Sequence, residues 1–332
     1  MSSDSPTRTA THALGSVVPS RFVPLLATLS LLLVAFGVGS VRYDGFATGQ
    51  VVANLFIDNA FLVVLAVGMT FVILSGGIDL SVGAVVALST MVTASTLRAG
   101  WPAPLVIVAV LVLGAGLGLL MGLVIHHFDI QPFVVTLGGM FLARGLCFLI
   151  DVESISIKDG TFRDLATGVL ELPGGVRITY GVLVALLVVA VAAYVLHRTR
   201  FGRTVYAVGG SEHSARLMGL ETGRVKVGVY VISGLCSALG GLLFALYMLS
   251  GYGLHAVGME LDAIAAVVIG GTVLSGGSGY VVGSVLGVLV LGTIQTIISF
   301  EGTLSSWWTK IVVGVLLLVF IVMQRVLVRR QR

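Results

Sequence analysis

The residues of this chain best suited to chemistry stand where they are most costly. Asn54, Asp58 and Asn59 lie inside one long apolar run, Asp79 opens the next, and Arg144 is the basic residue in the interior of a run. An ionised side chain at the centre of a membrane helix costs about 2.5–3.5 kcal/mol on insertion scales, so such residues usually face a bundle interior or an aqueous path. Asn54, Asp58 and Asp262 are the candidates to touch a neutral polar solute. Asn59, Thr136 and Gln295 are further interior hydrogen-bonding groups. Asp79 has an ordinary reading too, because Gly76-Gly77-Ile78-Asp79-Leu80-Ser81 has the order of a turn followed by a helix N-terminus. Arg144 is expected to pair with a carboxylate inside the bundle, Asp79 being the first choice.

The usual catalytic constellations are missing from the sequence. No G-x4-G-K-[ST] phosphate loop occurs, and none of the three lysines follows such a glycine run. No H-E-x-x-H, G-x-S-x-G or paired-cysteine metal spacing is found. His126-His127 ends an apolar run and reads as a solvated cationic cap. Cys147 and Cys236 lie within apolar stretches as small packing residues. The sequence thus offers no site for nucleotide hydrolysis, a metal or another bound cofactor.

The elements that must carry these polar groups are membrane helices. Hydrophobic residues make up 57% of the 332 and charged residues 10%, against roughly 25% charged in a soluble domain. Lipid or other helices must therefore surround most side chains. Runs at 22–41, 50–74, 79–97, 104–127, 132–150, 178–196, 227–250, 259–275, 277–299 and 309–328 predict an all-α polytopic membrane protein of about ten spans. The first run is longer than a signal h-region and is followed by a poor cleavage site, so it reads as an uncleaved span. The expected organisation is a polar tail at 1–21, one transmembrane domain over 22–328 and a short end at 329–332.

Charge placement predicts the orientation. With both termini cytoplasmic, the loop 197–226 carries Arg198, Arg200, Arg203, Arg216, Arg224 and Lys226 inside, joined by Arg325, Arg329, Arg330 and Arg332. The net acidic loop 151–177 then falls outside. The same clustering in short loops explains the pI near 9.3 without nucleic acid as a partner. Trp307 and Trp308 fit an interfacial aromatic belt.

Two glycine patterns stand out. Leu74-Ser75-Gly76-Gly77 recurs as Leu274-Ser275-Gly276-Gly277, and Val82-Gly83 recurs as Val282-Gly283 at the same 200-residue offset. Paired glycine-interrupted segments point to a transport site built from broken helices. Two tight turns between ordinary helices is the plainer alternative. Gly114-x3-Gly118-x3-Gly122 and Gly279-x3-Gly283-x3-Gly287 place small residues on one helix face, as packing surfaces.

Loop 197–226 is too long for a turn. Within it, Ser211 to Gly219 predicts a short amphipathic helix, with Ser211 as N-cap, Glu212 at the positive end and Gly219 at C′. Such a helix is suited to receive motion from a docked partner.

Several stretches together resemble the ribose/galactose class of binding-protein-dependent permeases. They are Val72–Gly83, Ala207-Val208-Gly209-Gly210, Ala215-Arg216-Leu217-Met218-Gly219 and Val268-Ile269-Gly270-Gly271-Thr272. Within the class, Asp58-Asn59-Ala60-Phe61, His197–Gly202 and Gly302–Lys310 resemble the type that carries galactofuranose. The resemblance implies a translocation subunit in the bacterial inner membrane. It also implies a homologous second permease, a periplasmic sugar-binding protein and a cytoplasmic ATPase that uses ATP and Mg. Ser211, Glu212, Ala215, Arg216 and Gly219 would form the coupling helix docked on that ATPase. The substrate path comes from the residues and not from the resemblance: the polar groups in apolar runs and the glycine-interrupted segments predict that Asn54, Asp58, Asn59, Ser75–Gly77, Asp79, Asp262, Ser275–Gly277 and Gln295 line it. An ion-coupled secondary transporter, using Asp58, Asp79 and Arg144 as a relay, is the alternative.

Overall fold

A computed structural model describes residues 23–303, 305 and 307–331, with side chains through Met323. The expected tail 1–21 and the side chains of Arg325, Arg329, Arg330 and Arg332 lie outside the described residues. The order is α1 (Val23–Arg42), α2 (Gly49–Leu74), α3 (Val82–Arg98), α4 (Ala103–Phe128), α5 (Pro132–Ile150), β1 (Ile155–Ser156), α6 (Gly160–Thr167), β2 (Val169–Leu172), β3 (Val176–Thr179), α7 (Tyr180–Arg198), α8 (Arg200–Gly210), α9 (Glu212–Leu217), α10 (Thr222–Met248), β4 (Ser250–Gly251), α11 (Met259–Ile269), α12 (Val281–Glu301) and α13 (Trp307–Gln331).

Among the described residues, α1, α4, α5, α7, α10 and α12 are long and apolar enough to cross a membrane. A seventh is α2, if its parts Gly49–Ile57 and Ala60–Leu74, bent 54° apart, are one span. The shorter α3 and the described part of α13 are apolar as well. The expected segments therefore all appear as helices, but α11 stops at Ile269 and α12 starts at Val281, so the runs 259–275 and 277–299 overstate both. Glycine and backbone turns, invisible to an apolar count, occupy the difference.

Of those six spans, α1, α5 and α7 are the outermost and α10 is the most buried. It packs on α4 through the predicted glycines. A Cβ at Gly118 would strike the Tyr230 backbone, and one at Gly122 would lie 2.9 Å from the Val227 Cα. Gly114 and Gly234 face each other so closely that neither admits a side chain. Without a hydrophobic drive between helices in lipid, such close backbone approach is what holds them together. Gly283 and Gly287 do the same against Gly270, the residue that caps α11, and Ala266 within it. Gly279 precedes α12 rather than sharing its face, since Tyr280 is the cap residue.

Contacts sort the helix ends onto two faces. On one, Arg98 meets Asp151, β1 pairs antiparallel with β4, Gln50 bonds Arg177, and Tyr43 donates to Glu301. The expected loop 151–177 lies here and carries α6 and the β2–β3 hairpin. Backbone bonds to the Asp151 carboxylate, with Arg98 beside it, hold that group below the usual carboxylate range. On the opposite face lie α8 and α9, the end of α2, and the turn before α12.

Candidate functional site

The first Ser-Gly-Gly turn leads into a buried polar centre. Ser75 caps α2, Gly76 adopts φ +86°, and the chain runs non-helically to Ser81. Asp79 is fully buried. Its carboxylate accepts from the Ser81 backbone N–H (2.9 Å), the Ser81 hydroxyl (2.6 Å) and the Ser233 hydroxyl (2.6 Å). Ser233 stands near the middle of α10, so this non-helical segment lies inside the bundle. Backbone of this kind is tolerated at depth only where protein or a cavity satisfies it. The N-cap of α3 is Ser81, not Asp79; the carboxylate reaches on to α10 instead. Tyr230, one turn below Ser233, crowds Gly77 with a buried hydroxyl that has no hydrogen-bond partner among the described residues.

The expected pair between Arg144 and Asp79 does not form. Arg144 Nη1 donates to the carbonyls of Gly253 (2.6 Å) and His255 (2.8 Å) instead. Those carbonyls belong to the connection from α10 to α11, a second non-helical passage within the bundle. Leu249 and Ala256 there adopt φ +49° and +58°, which cost non-glycine residues free energy and concentrate at functional sites. The sequence reading passed over this break. It left residues 251–258 as a connection between the runs 227–250 and 259–275, where Gly251, Gly253 and Gly258 around His255 were the signal.

The remaining path candidates do not converge on one point. Asp58 and Asn59 occupy the bend of α2. Asp58 accepts from the Tyr247 hydroxyl (3.3 Å), and the buried Asn59 donates to the Leu55 carbonyl (2.9 Å) beside Gly292. Asn54 is exposed and accepts from Gln50 (2.8 Å). Asp262 is paired with Lys310 at 2.7 Å. Gln295 is exposed on α12, and Thr136 donates to carbonyls of its own helix and to Ile78. The structure thus separates an outer set at the α2 bend, Lys310-bound Asp262, and an inner set at Asp79.

The second Ser-Gly-Gly segment meets the first. Gly276 and Gly277 adopt φ +85° and +76°, and the Gly277 N–H donates to the Leu74 carbonyl at 2.9 Å. Both segments are turns between helices, not breaks within one. Gly209 and Gly210, at the end of α8, press into this junction. A Cβ at Gly277 would lie 2.8 Å from the Gly210 nitrogen, and one at Gly209 would overlap the Leu74 carbonyl. Tyr206 of α8 donates to the Gly279 carbonyl (2.8 Å), and His197 stacks on Tyr280 with ring centroids 5.7 Å apart.

The predicted short helix follows directly as α9. Ser211 caps it, its hydroxyl accepting from the Ser214 N–H (3.2 Å), and Gly219 turns the chain away with φ +75°. Ala215 is its buried face. Glu212 pairs with Arg216 (2.8 Å) and with Lys226 (2.7 Å) of α10. Partial burial pushes the Glu212 carboxyl up, but Lys226 and Arg216 outweigh it and hold the group below its ordinary value. Leu217 and Met218 point outward, and a groove of about 680 Å³ between α8 and α10 is lined by Arg200, Arg203, Gly219 and Arg224. Amphipathic α8 itself was hidden in the charged loop, where its apolar stripe is too short to resemble a span.

These features, a membrane bundle with non-helical passages at depth and a capped surface helix keyed into its turns, define a transport permease. Residues 51–321 match the family model described as the branched-chain amino acid transport system permease component, and the chain belongs to this family. It is 46% identical over 306 residues to the inner membrane ABC transporter permease protein YjfF of Escherichia coli K12, covering 92% of each chain. It is 41% identical to the fructose import permease protein FruG of Bifidobacterium longum, covering 94% of this chain and 93% of the relative. The ribose import permease protein RbsC of Escherichia coli K12 is 35% identical, with 88% and 90% covered. No solved structure matches the chain.

Proposed function

We propose that this chain is the translocation subunit of an ATP-binding cassette importer that carries a monosaccharide into the cytoplasm. The observation that carries the reading is the contact of the α8–α9 segment with both Ser-Gly-Gly turns. A partner that moved α9 would move Gly209–Gly210 and with it the ends of α2 and the start of α12. Transport coupled to ATP requires two arrangements of the path with different partner contacts. In this reading ATP and Mg act on a separate cytoplasmic ATPase docked at Ser211–Gly219. A periplasmic sugar-binding protein delivers solute at the opposite face, and a homologous second permease completes the path. The chain crosses the inner membrane ten times, with α3, α11 and α13 as the shorter crossings and both termini inside, as the basic loop 197–226 favours.

The relatives are named for fructose and ribose import, which supports a monosaccharide; the motifs at Asp58–Phe61 and Gly302–Lys310 favour galactofuranose. The test is uptake into proteoliposomes holding the chain with its ATPase, second permease and binding protein. ATP-dependent accumulation of a monosaccharide is the expected result. Gradient-driven uptake by the chain alone, without ATPase, would replace this reading with a secondary transporter.

A further inference from the structure

The break between β4 and α11 holds the most unusual polar group set in the bundle. From Gly251, beside Thr90 and Ala94, the chain descends along α3 until Glu260 lies against Gly83. Gly83 makes room for it: a Cβ there would lie 2.7 Å from the Ala256 carbonyl and would overlap the Glu260 carboxylate. Glu260 Oε2 and His255 Nδ1 are both buried without a hydrogen-bond partner among the described residues. Leaving such atoms unpaired is unfavourable, and more so for a charge.

Arg144 stands within Coulombic reach of Glu260 and His255 but beyond the 4.0 Å of an ion pair with Glu260. Its Nη1 donates to the two loop carbonyls, and a guanidinium carries further N–H donors on Nη2 and Nε. The guanidinium and the two unpartnered atoms supply donor and acceptor capacity for a third group. Aromatic faces border the place. His255 packs edge-on against Phe244 (5.2 Å) and Tyr252 (5.7 Å), and Phe244 continues through Phe61 to Tyr247, which donates to Asp58.

A neutral sugar fits this chemistry. One hydroxyl can accept from Arg144 while its neighbour donates to Glu260, and the ring's apolar face suits an aromatic edge. We propose that Arg144, His255 and Glu260, held at the buried break before α11, bind adjacent hydroxyls of the transported monosaccharide. This rests on the importer reading above and adds the residues that would discriminate the solute within the membrane.

The test uses the complete reconstituted importer with D-ribose, D-fructose, D-galactose, galactofuranose and their monodeoxy analogues. For the sugar that the wild type carries, the quantity read is the uptake ratio of parent to deoxy analogue. The binding protein is held constant, so a change in the ratio reports the permease. E260Q is expected to lower uptake of the parent about tenfold or more and to bring the ratio for one hydroxyl towards one. ATPase stimulation by the binding protein is expected to persist, showing that the complex still assembles. H255N gives the same ratio measurement should E260Q fail to assemble. An unchanged ratio in both variants overturns the subsite while leaving the importer intact. No ATP-dependent uptake of any of these sugars by the wild type overturns the importer reading, and the subsite with it.

Discussion

Leu74-Ser75-Gly76-Gly77 and Leu274-Ser275-Gly276-Gly277 make the same opening turn, with φ +86° at Gly76 and +85° at Gly276. They part at the second glycine. Gly277 keeps a positive φ, gives its N–H to the Leu74 carbonyl and lies against Gly210, so the second segment is locked into backbone on three sides. Gly77 is crowded by the Tyr230 side chain, and the chain beyond it climbs into the bundle to deliver Asp79 to Ser233. One copy therefore serves as a mechanical joint to α8, the other as the entrance to a buried polar centre. The lesson is that a repeated sequence specifies a local turn, whereas the packing around the second glycine sets what the turn does.

The comparison breaks most readily at the joint. Gly209→Ala places a Cβ on the Leu74 carbonyl, a backbone atom that cannot swing aside. A loss of about 3 kcal/mol or more is expected, read as a lower melting temperature of the purified protein and loss of uptake. Gly210→Ala, whose Cβ would meet nothing, is the matched control and is expected to be close to wild type.

At the polar centre, Asp79→Ala leaves the Ser233 and Ser81 hydroxyls without their acceptor and is expected to cost about 2–3 kcal/mol. Asp79→Asn keeps one acceptor oxygen and should recover about half of that loss. Equal melting temperatures for the two variants would mean that the hydrogen bonds to Asp79 do not hold the α3–α10 contact.

Gly219→Ala is a smaller insult to the fold, because the site is open and only the left-handed backbone, about 1 kcal/mol or more, is strained. Its expected effect is functional: uptake is abolished with membrane insertion intact, and Arg216→Glu gives the same result by inverting the charge beside Glu212. Normal uptake in both would remove α9 from the coupling route.

The smallest effect concerns pH. The Glu212 carboxyl is held below its ordinary value, so its pairing with Lys226 and Arg216 stabilises fully above that value and is lost as pH falls through the lowered one. Hydrogen-exchange protection of α9 is expected to be flat from neutral pH down to the ordinary glutamate range and to decline only below it. Glu212→Gln should remove the decline.

Much of this was legible in the residues. The helices start and end within a few positions of the apolar runs, because a lipid solvent demands long apolar segments and leaves little freedom elsewhere. The α9 helix was readable because Ser211, Glu212 and Gly219 each act locally, within one turn. The pairing of Arg144 was not readable. Its choice of the Gly253 and His255 carbonyls over Asp79 depends on where a non-helical passage runs, and carbonyls are the same in every sequence. Asn54, Asp58, Asn59, Asp262 and Gln295 were alike as polar residues in apolar runs, yet only their tertiary positions show which are bent into the bundle, ion-paired or exposed.

Sequence by itself determined the solvent, the helical segments, the glycine faces of α4 and α12 and the capped surface helix, since each follows from composition or from neighbours three or four residues apart. Only the tertiary structure decided that the two Ser-Gly-Gly turns touch, that α8 closes on them, and that residues 249–258 descend non-helically along α3. Those outcomes join residues far apart in the chain, and close packing of backbone against backbone, not side-chain type, selects them.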